Sequence, residues 1–211
     1  MQTHYLGASQ REHVRQLLEW MNPCPGAHIV DAGSGVGEIP LFMSSIRPDL
    51  EFTMVNISEY QLGMSPTGEQ FKQVLADFTA SGLESDSADV VMLNSALCQM
   101  PINHALSEAR RILKPGGKLF ISDLSVEDYR EYPQLHALFM SPLQWGEVIR
   151  RHGFTISSLL TFEKFDISHF KDAYGEAFDQ DFAKPLPFIG VFSKADCPVD
   201  DAISRHERIA L

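Results

Sequence analysis

The glycine-rich stretch AHIVDAGSGVG, residues 27–37, is the segment best suited to chemistry. Its apolar beginning predicts a short buried parallel strand that ends at Asp31. Small residues then open a helical segment: Gly33, Ser34, Gly35 and Gly37. A strand, a glycine-rich turn and a helix N-terminus leave backbone N–H groups bare, and such groups bind nucleotides. We therefore expect a nucleotide-type ligand here.

The spacing of the glycines narrows the kind of ligand. A dinucleotide site follows the pattern G-x-G-x-x-G, and its third glycine would fall at Glu38 in this chain. The carboxylates of Asp31 and Glu38 would repel a pyrophosphate. They suit a ligand that joins a sugar to a cationic amino-acid part without phosphate, a description that S-adenosylmethionine meets.

The same segment resembles motif I of the class I S-adenosylmethionine-dependent methyltransferases. Five later segments resemble further parts of that family, in the family's order: FTMVNISEYQL (52–62, motif II), VLADF (74–78, adenine-binding turn), ADVVMLNSALCQMP (88–101, fourth strand and loop), EARRILKPGGKLFISDL (108–124, helix, turn and fifth strand) and LQWGEVIRRHGFTISSL (143–159, helix and sixth strand). The resemblance implies an α/β fold with a doubly wound, seven-stranded, mostly parallel Rossmann-like sheet. In this family the last strand inserts antiparallel between its neighbours.

Periodicity and turn residues place the elements that must position this site. We expect helices near 8–21, 36–46, 58–64, 102–113 and 141–152, and strands near 27–31, 51–56, 71–76, 88–94, 117–122, 154–163 and 188–192. The alternation of strand and helix favours a doubly wound parallel sheet. We divide the chain into an N-terminal helical segment (1–26), a methyltransferase domain (27–195) and a C-terminal tail (196–211).

The resemblance also implies a cofactor-binding set at the carboxyl ends of the strands. Asp31 would accept from the cofactor's ammonium group, and the glycines would let the backbone approach it. Asp77 would accept from the adenine amino group while Phe78 flanks the ring. An ordinary turn and an ordinary strand exit are the structural alternatives. The full set is Asp31, Gly33, Ser34, Gly35, Gly37, Asn56, Ile57, Asp77, Phe78, Asn94 and Gln99.

Asn56 departs from the family pattern, which has an acid that grips both ribose hydroxyls there. An amide can accept one hydrogen bond and donate another, but without charge its grip should be weaker. Asn followed by Ser-Glu-Tyr-Gln resembles the motif of sterol and prenyl C-methyltransferases, which points to a small apolar acceptor. Neutral change at a tolerant position is the alternative.

Methyl transfer requires positioning of the acceptor and a group that takes its proton. The candidate bases are Asp123 at the end of the fifth strand, His136 beyond it and His169 before the last strand; each could instead be structural. Cys98 is a weaker candidate for a nucleophile, because no base is paired with it in sequence.

Composition limits the partners and the compartment. The chain has 211 residues and a net charge of −11, so it lacks the positive footprint of a nucleic-acid-binding protein. No apolar run approaches the roughly 18 residues of a membrane-spanning helix. Cys24, Cys98 and Cys197 are scattered without metal-binding spacing and read as free thiols in a reducing compartment. We expect a cytoplasmic protein without a metal site.

The sequence therefore predicts a methyltransferase for a small apolar metabolite, acting on carbon or oxygen. One alternative is a protein that binds S-adenosylmethionine without methyl transfer, as a partner subunit or a non-methylating enzyme. Another is a protein or RNA methyltransferase. Because the segments that usually cover the pocket are short, the pocket is either open or completed by a second subunit or a partner protein.

Overall fold

The computed structural model describes residues 9–127, 129–132, 136–161 and 186–195. The helices are α1 (Gln10–Met21), α2 (Glu38–Ile46), α3 (Glu59–Leu62), α4 (Ile102–Ile112) and α5 (Pro142–Arg151), with 3₁₀ turns at Phe78–Ala80 and Leu97–Gln99. The strands are β1 (His28–Ala32), β2 (Glu51–Asn56), β3 (Phe71–Leu75), β4 (Ala88–Asn94), β5 (Leu113–Ser125), β6 (Arg130–Tyr132), β7 (Ala137–Phe139), β8 (Phe154–Thr161) and β9 (Leu186–Lys194). None of these helices is long and apolar enough to cross a membrane.

Seven strands form one sheet in the order β3-β2-β1-β4-β5-β9-β8. The first five strands in that order pair in parallel, whereas β9 runs antiparallel between β5 and β8. These pairings confirm the doubly wound, mostly parallel sheet and the inserted last strand. The strand order reverses between β1 and β4, and ligands in such sheets bind beyond the carboxyl ends of the strands at that point.

The hydrophobic core lies in two layers, one on each face of the sheet. Neighbouring residues of β1 enter opposite layers, as the two-residue period of a strand requires. Ile29 joins the layer that includes Leu17 of α1 and Met43 of α2, while Val30 joins the layer that includes Ala109 of α4. Helices therefore cover both faces of the sheet, and loops form the edge at the carboxyl ends of the parallel strands.

Two features differ from the sequence prediction. Strand β5 begins directly after α4 and ends at Ser125, whereas the sequence placed a turn at Lys114–Gly117 and a shorter strand. The register between β4 and β5 shifts between Ala88 and Val90, which accommodates the extra residues. The hairpin β6–β7 was not predicted, because its three-residue strands are too short to show a period.

Candidate functional site

The glycine turn folds over the carboxyl end of the neighbouring strand β2. The backbone N–H groups of Gly33 and Ser34 both donate to the Val55 carbonyl, at 2.9 and 3.1 Å. The N–H of Gly37 donates to the Ser34 carbonyl at 2.9 Å and closes the turn. Gly37 then caps the N-terminus of α2. The turn is thus held by backbone bonds on the side of β2.

The three glycines of this turn are required for different reasons. A Cβ on Gly33 would lie 2.9 Å from the Cβ of Ala96, and one on Gly37 would lie 2.6 Å from the Cδ of Pro66. A Cβ on Gly35 would meet no atom within 4 Å, although its φ of +56° disfavours a side chain. Gly33 and Gly37 therefore permit close packing, and Gly35 alone faces open space where a ligand could approach.

Asp31 is a buried carboxyl group at the end of β1. Its side chain forms no hydrogen bond to any described residue, and it is 3% exposed. Burial raises its pKa from 3.8 to about 7, because removal from water disfavours the charged form. A buried carboxylate without a partner is costly, so the site favours a cation that could pair with it.

Two serine hydroxyls lie on the loops that follow β1 and β4. The Oγ atoms of Ser34 and Ser95 are buried, and each lacks a hydrogen-bond partner among the described residues. Ser95 has a φ of +53°, and its N–H donates to the Ser122 carbonyl at 2.7 Å. Sequence reasoning did not single out Ser95, because its left-handed backbone is visible only in the structure. Together with Asp31, these groups suit a ligand that carries an ammonium and a carboxylate.

The residues next to Ser95 differ in exposure. Asn94 is half-buried at the end of β4, where it pairs with Ser122 of β5. Gln99 is exposed, and its backbone N–H donates to the Ala96 carbonyl at 3.1 Å. Both lie at the carboxyl end of the sheet, as the sequence predicted, and their contact with a cofactor stays a prediction.

Asn56 lies at the end of β2, but its side chain is engaged within the protein. Its Nδ2 donates to the Gly35 carbonyl at 2.9 Å and to Oε1 of Gln61 at 3.1 Å. Its Oδ1 accepts from the Ser58 N–H at 3.0 Å. Both amide protons therefore have protein acceptors, and contact of Asn56 with a ribose hydroxyl stays a prediction. Ile57 is 74% exposed and remains available to a ligand.

Asp77 and Phe78, the two residues predicted to bind adenine, differ in their exposure. Asp77 is exposed and caps a 3₁₀ turn, since its Oδ1 accepts from the N–H and the hydroxyl of Thr79 at 2.8 and 2.7 Å. Its other oxygen has no partner among the described residues. Phe78 is only 3% exposed and packs in the core layer that contains Leu106 and Ala109 of α4. Burial leaves little of the Phe78 ring exposed for stacking, and its contact with adenine stays a prediction.

Asp123, near the carboxyl end of β5, holds the 3₁₀ turn that follows β4. Its Oδ1 accepts from the Leu124 N–H at 2.8 Å, and its Oδ2 accepts from the Cys98 N–H at 3.1 Å. Burial raises the pKa of Asp123 to about 6 against the opposing effect of these bonds. Burial and the charge of Asp123 also raise the pKa of the Cys98 thiol well above its usual value, so we expect little thiolate and low reactivity at Cys98.

The candidate bases do not converge on the described part of the site. Asp123 is 3% exposed and has a donor at each oxygen, which suits a structural acceptor better than a base. His136 is exposed in the turn between β6 and β7, with a φ of +48°. His169 lies outside the described residues. The assignment of the base stays a prediction.

Comparisons with known proteins agree with this geometry. Residues 30–121 match a family model described as a methyltransferase domain. The chain is 26% identical over 117 residues to a ubiquinone/menaquinone biosynthesis C-methyltransferase of Cereibacter sphaeroides. The aligned segment covers 52% of this chain and 47% of that relative. The chain thus spans about half the length of the curated relatives it matches.

Solved structures support the fold. The [4+2]-cyclase SpnF superposes with a TM-score of 0.77 at 15% identity, over 92% of this chain and 87% of that one. A geranyl diphosphate methyltransferase, solved with geranyl diphosphate and sinefungin, superposes with a TM-score of 0.75 at 13% identity. The superposition covers 87% of this chain and 78% of that one. The sheet order, the glycine turn and the matched segment together make this chain similar to the class I S-adenosylmethionine-dependent methyltransferases, whose fold it has.

Proposed function

We propose that this chain binds S-adenosylmethionine and transfers its methyl group to a carbon or oxygen atom of a small apolar acceptor. The observation that carries the proposal is the buried carboxyl group of Asp31, which has no hydrogen-bond partner among the described residues and precedes the glycine turn in which Gly35 faces open space. In other α/β sheets, an anionic ligand would be expected at the start of α2. Here Glu38 occupies that start and accepts from Gln10 at 3.2 Å, which disfavours phosphate.

The polar groups of the site match the parts of this cofactor. Asp31 would pair with the ammonium group, while the hydroxyls of Ser34 and Ser95 would donate to the carboxylate. Ile57 offers apolar surface, and the free oxygen of Asp77 would accept from the adenine amino group. When bound, S-adenosylmethionine supplies an electrophilic methyl group on a sulfonium centre. The protein must then hold the acceptor in line with that group and accept the proton that the acceptor loses.

An apolar acceptor would suit the residues near the carboxyl end of β5. Beyond β5, a separate buried cluster closes under the β6–β7 hairpin and consists of Cys98, Leu124, Val126, Ala137 and Phe139. An apolar acceptor also fits the names of the relatives, which concern quinone biosynthesis and geranyl diphosphate. We include in the proposal a second copy or a partner protein that completes the pocket, and a cytoplasmic location in keeping with the free thiols of Cys24 and Cys98.

A pair of matched glycine variants tests the cofactor site. Gly35 and Gly82 both have positive φ values, +56° and +70°, and an added Cβ would meet nothing within 4 Å at either position. Gly35→Ala and Gly82→Ala should therefore lose similar stability, about 1 kcal/mol from backbone strain. Only Gly35→Ala should lose affinity for S-adenosylmethionine by calorimetry, by about tenfold or more. Equal affinity of the two variants for S-adenosylmethionine would show that the ligand does not bind at this turn.

A second candidate function is a reaction that uses this fold without methyl transfer. The similarity to a structure named as a [4+2]-cyclase favours it, as does the engagement of both Asp123 oxygens. Both functions require cofactor binding, so binding alone does not separate them. Incubation with labelled S-adenosylmethionine and apolar extracts does: methyl transfer must yield labelled product and S-adenosylhomocysteine in equal amounts. A protein or RNA acceptor is less favoured, because the net charge of −11 opposes an RNA backbone.

A further inference from the structure

We infer that Asn56 is a positioning residue that holds the glycine turn in its cofactor-binding shape, and that it does not grip the ribose through a pair of hydrogen bonds. This inference rests on the proposed function and concerns the same site. Asn56 is 6% exposed, and its side chain joins three separate segments: the end of β2, the glycine turn and the start of α3.

The orientation of the Asn56 amide is fixed by backbone groups that cannot exchange roles. The Ser58 N–H can only donate, so it must face Oδ1, and the Gly35 carbonyl can only accept, so it must face Nδ2. The second Nδ2 proton then requires an acceptor, which Oε1 of Gln61 provides at 3.1 Å. A single lone pair of Oδ1 is left, so a two-point grip on ribose hydroxyls is excluded.

The bond to the Gly35 carbonyl is the functional one, because Gly35 is the residue of the turn that faces open space. The N–H groups of Gly33 and Ser34 are bound to Val55, which fixes the beginning of the turn. Asn56 fixes its middle. Loss of the Nδ2 donor would leave the Gly35 carbonyl without this partner and allow the peptide to rotate into the ligand space.

This role makes a prediction opposite to that of a ribose-binding residue. In Asn56→Asp a carboxylate would face the Gly35 carbonyl at the distance of the present hydrogen bond, 2.9 Å, and would repel it. We expect affinity for S-adenosylhomocysteine to fall about tenfold or more near pH 8. Burial and the facing carbonyl raise the pKa of the introduced carboxyl group, so near pH 5.5 more of it is protonated and can donate again. The ratio of variant to wild-type dissociation constants should then fall by about threefold or more. A ribose-binding residue would instead give tighter binding near pH 8.

The ratio removes the effects of groups that both proteins share. Asp31, Glu38 and Glu59 lie at the ends of the elements around Asn56, and both proteins carry all three groups. Gln61→Glu adds a negative charge next to Asn56 but keeps an acceptor for its Nδ2. This variant should weaken binding by less than about threefold. A loss as large as that of Asn56→Asp would assign the effect to charge repulsion and overturn the inference.

A measurement without ligand keeps the inference separate from the proposed function. Gln61→Ala removes one of the two acceptors of the Asn56 amide, so the Gly37 N–H that closes the turn should exchange with solvent about tenfold faster. Gln144→Ala is the matched control, because Oε1 of Gln144 accepts from the Ser141 N–H at the start of α5, which packs on β8 at the other edge of the sheet. Unchanged exchange at Gly37 would overturn the inference even if Asn56→Asp fails to fold. Absence of binding by the wild-type protein would overturn the proposed function alone.

Discussion

Replacement of Asp31 by Asn should stabilise the ligand-free protein at alkaline pH and, at the same time, weaken cofactor binding. The Asp31 side chain is buried and has no hydrogen-bond partner among the described residues. Its pKa is raised from 3.8, the ordinary value of an aspartate, to about 7 in the folded protein. Because the folded pKa is the higher one, this carboxyl group destabilises the fold progressively as the pH rises from about 4 to about 7. Each pKa unit corresponds to about 1.4 kcal/mol, so the cost at pH 8 is up to about 4 kcal/mol.

The amide of Asn has the shape of the protonated carboxyl group but no charge to lose. Near pH 4 the free energies of unfolding of wild type and Asp31→Asn should therefore be nearly equal. Near pH 8 the variant should be more stable by about 2–4 kcal/mol. Its affinity for S-adenosylmethionine should be about 10- to 100-fold lower, since a hydrogen bond to a charged group contributes about 1.5–3 kcal/mol. Urea unfolding at the two pH values and calorimetric titration measure these effects.

Asp123 provides the matched control for Asp31. It is equally buried and also has a raised pKa, about 6, but both of its oxygens accept backbone N–H groups. Asp123→Asn turns an NH₂ group toward one of those donors and should destabilise the fold near pH 4 by about 1–3 kcal/mol. Near pH 8, removal of the buried charge offsets part of that loss, because the pKa of Asp123 is also raised. A stability change of Asp31→Asn that is the same at both pH values, or that matches Asp123→Asn, would refute the reasoning.

Two further predictions concern the adenine end of the site and the buried thiol. Asp77→Asn keeps an oxygen for the Thr79 cap, so stability should be unchanged in a thermal melt, while discrimination against an analogue without the adenine amino group should relax by about tenfold; unchanged discrimination would place the adenine elsewhere. Cys98 should resist iodoacetamide near pH 8 in the folded protein while exposed Cys24 is alkylated, as measured by peptide mass spectrometry; rapid alkylation of Cys98 would contradict its burial.

The sequence predicts the central sheet well, because the signals there are local. Strands such as β1 and β4 are short apolar runs, and the glycine turn between β1 and α2 is a contiguous pattern. The place of β9 follows only from the family resemblance, since no local pattern states which strands it separates. The hairpin β6–β7 depends on packing under β5 and leaves no period in three-residue strands.

The functions of single site residues are less predictable, because their partners are distant in sequence. Phe78 follows Asp77 directly, yet it turns into the core, and only the packing of α4 decides this. Gly37 belongs to the same glycine pattern as Gly35, yet Pro66, far along the chain, determines why it must be glycine. Asn56 donates to the carbonyl of Gly35, which follows the neighbouring strand β1. The sequence of motif II alone therefore cannot predict this hydrogen bond.

The position of β9 has a consequence for how the chain folds during synthesis. β5 pairs with β9 from Lys118 to Ser125, and β9 is made only after β8 and all of the intervening chain. Until then, β5 and β8 each present an unpaired edge, and apolar residues such as Phe120 lack part of their cover. Contacts so far apart in sequence form slowly, and exposed strand edges promote aggregation. A nascent chain that stops before Leu186 should therefore depend on chaperones, although its whole cofactor-binding half has already been made.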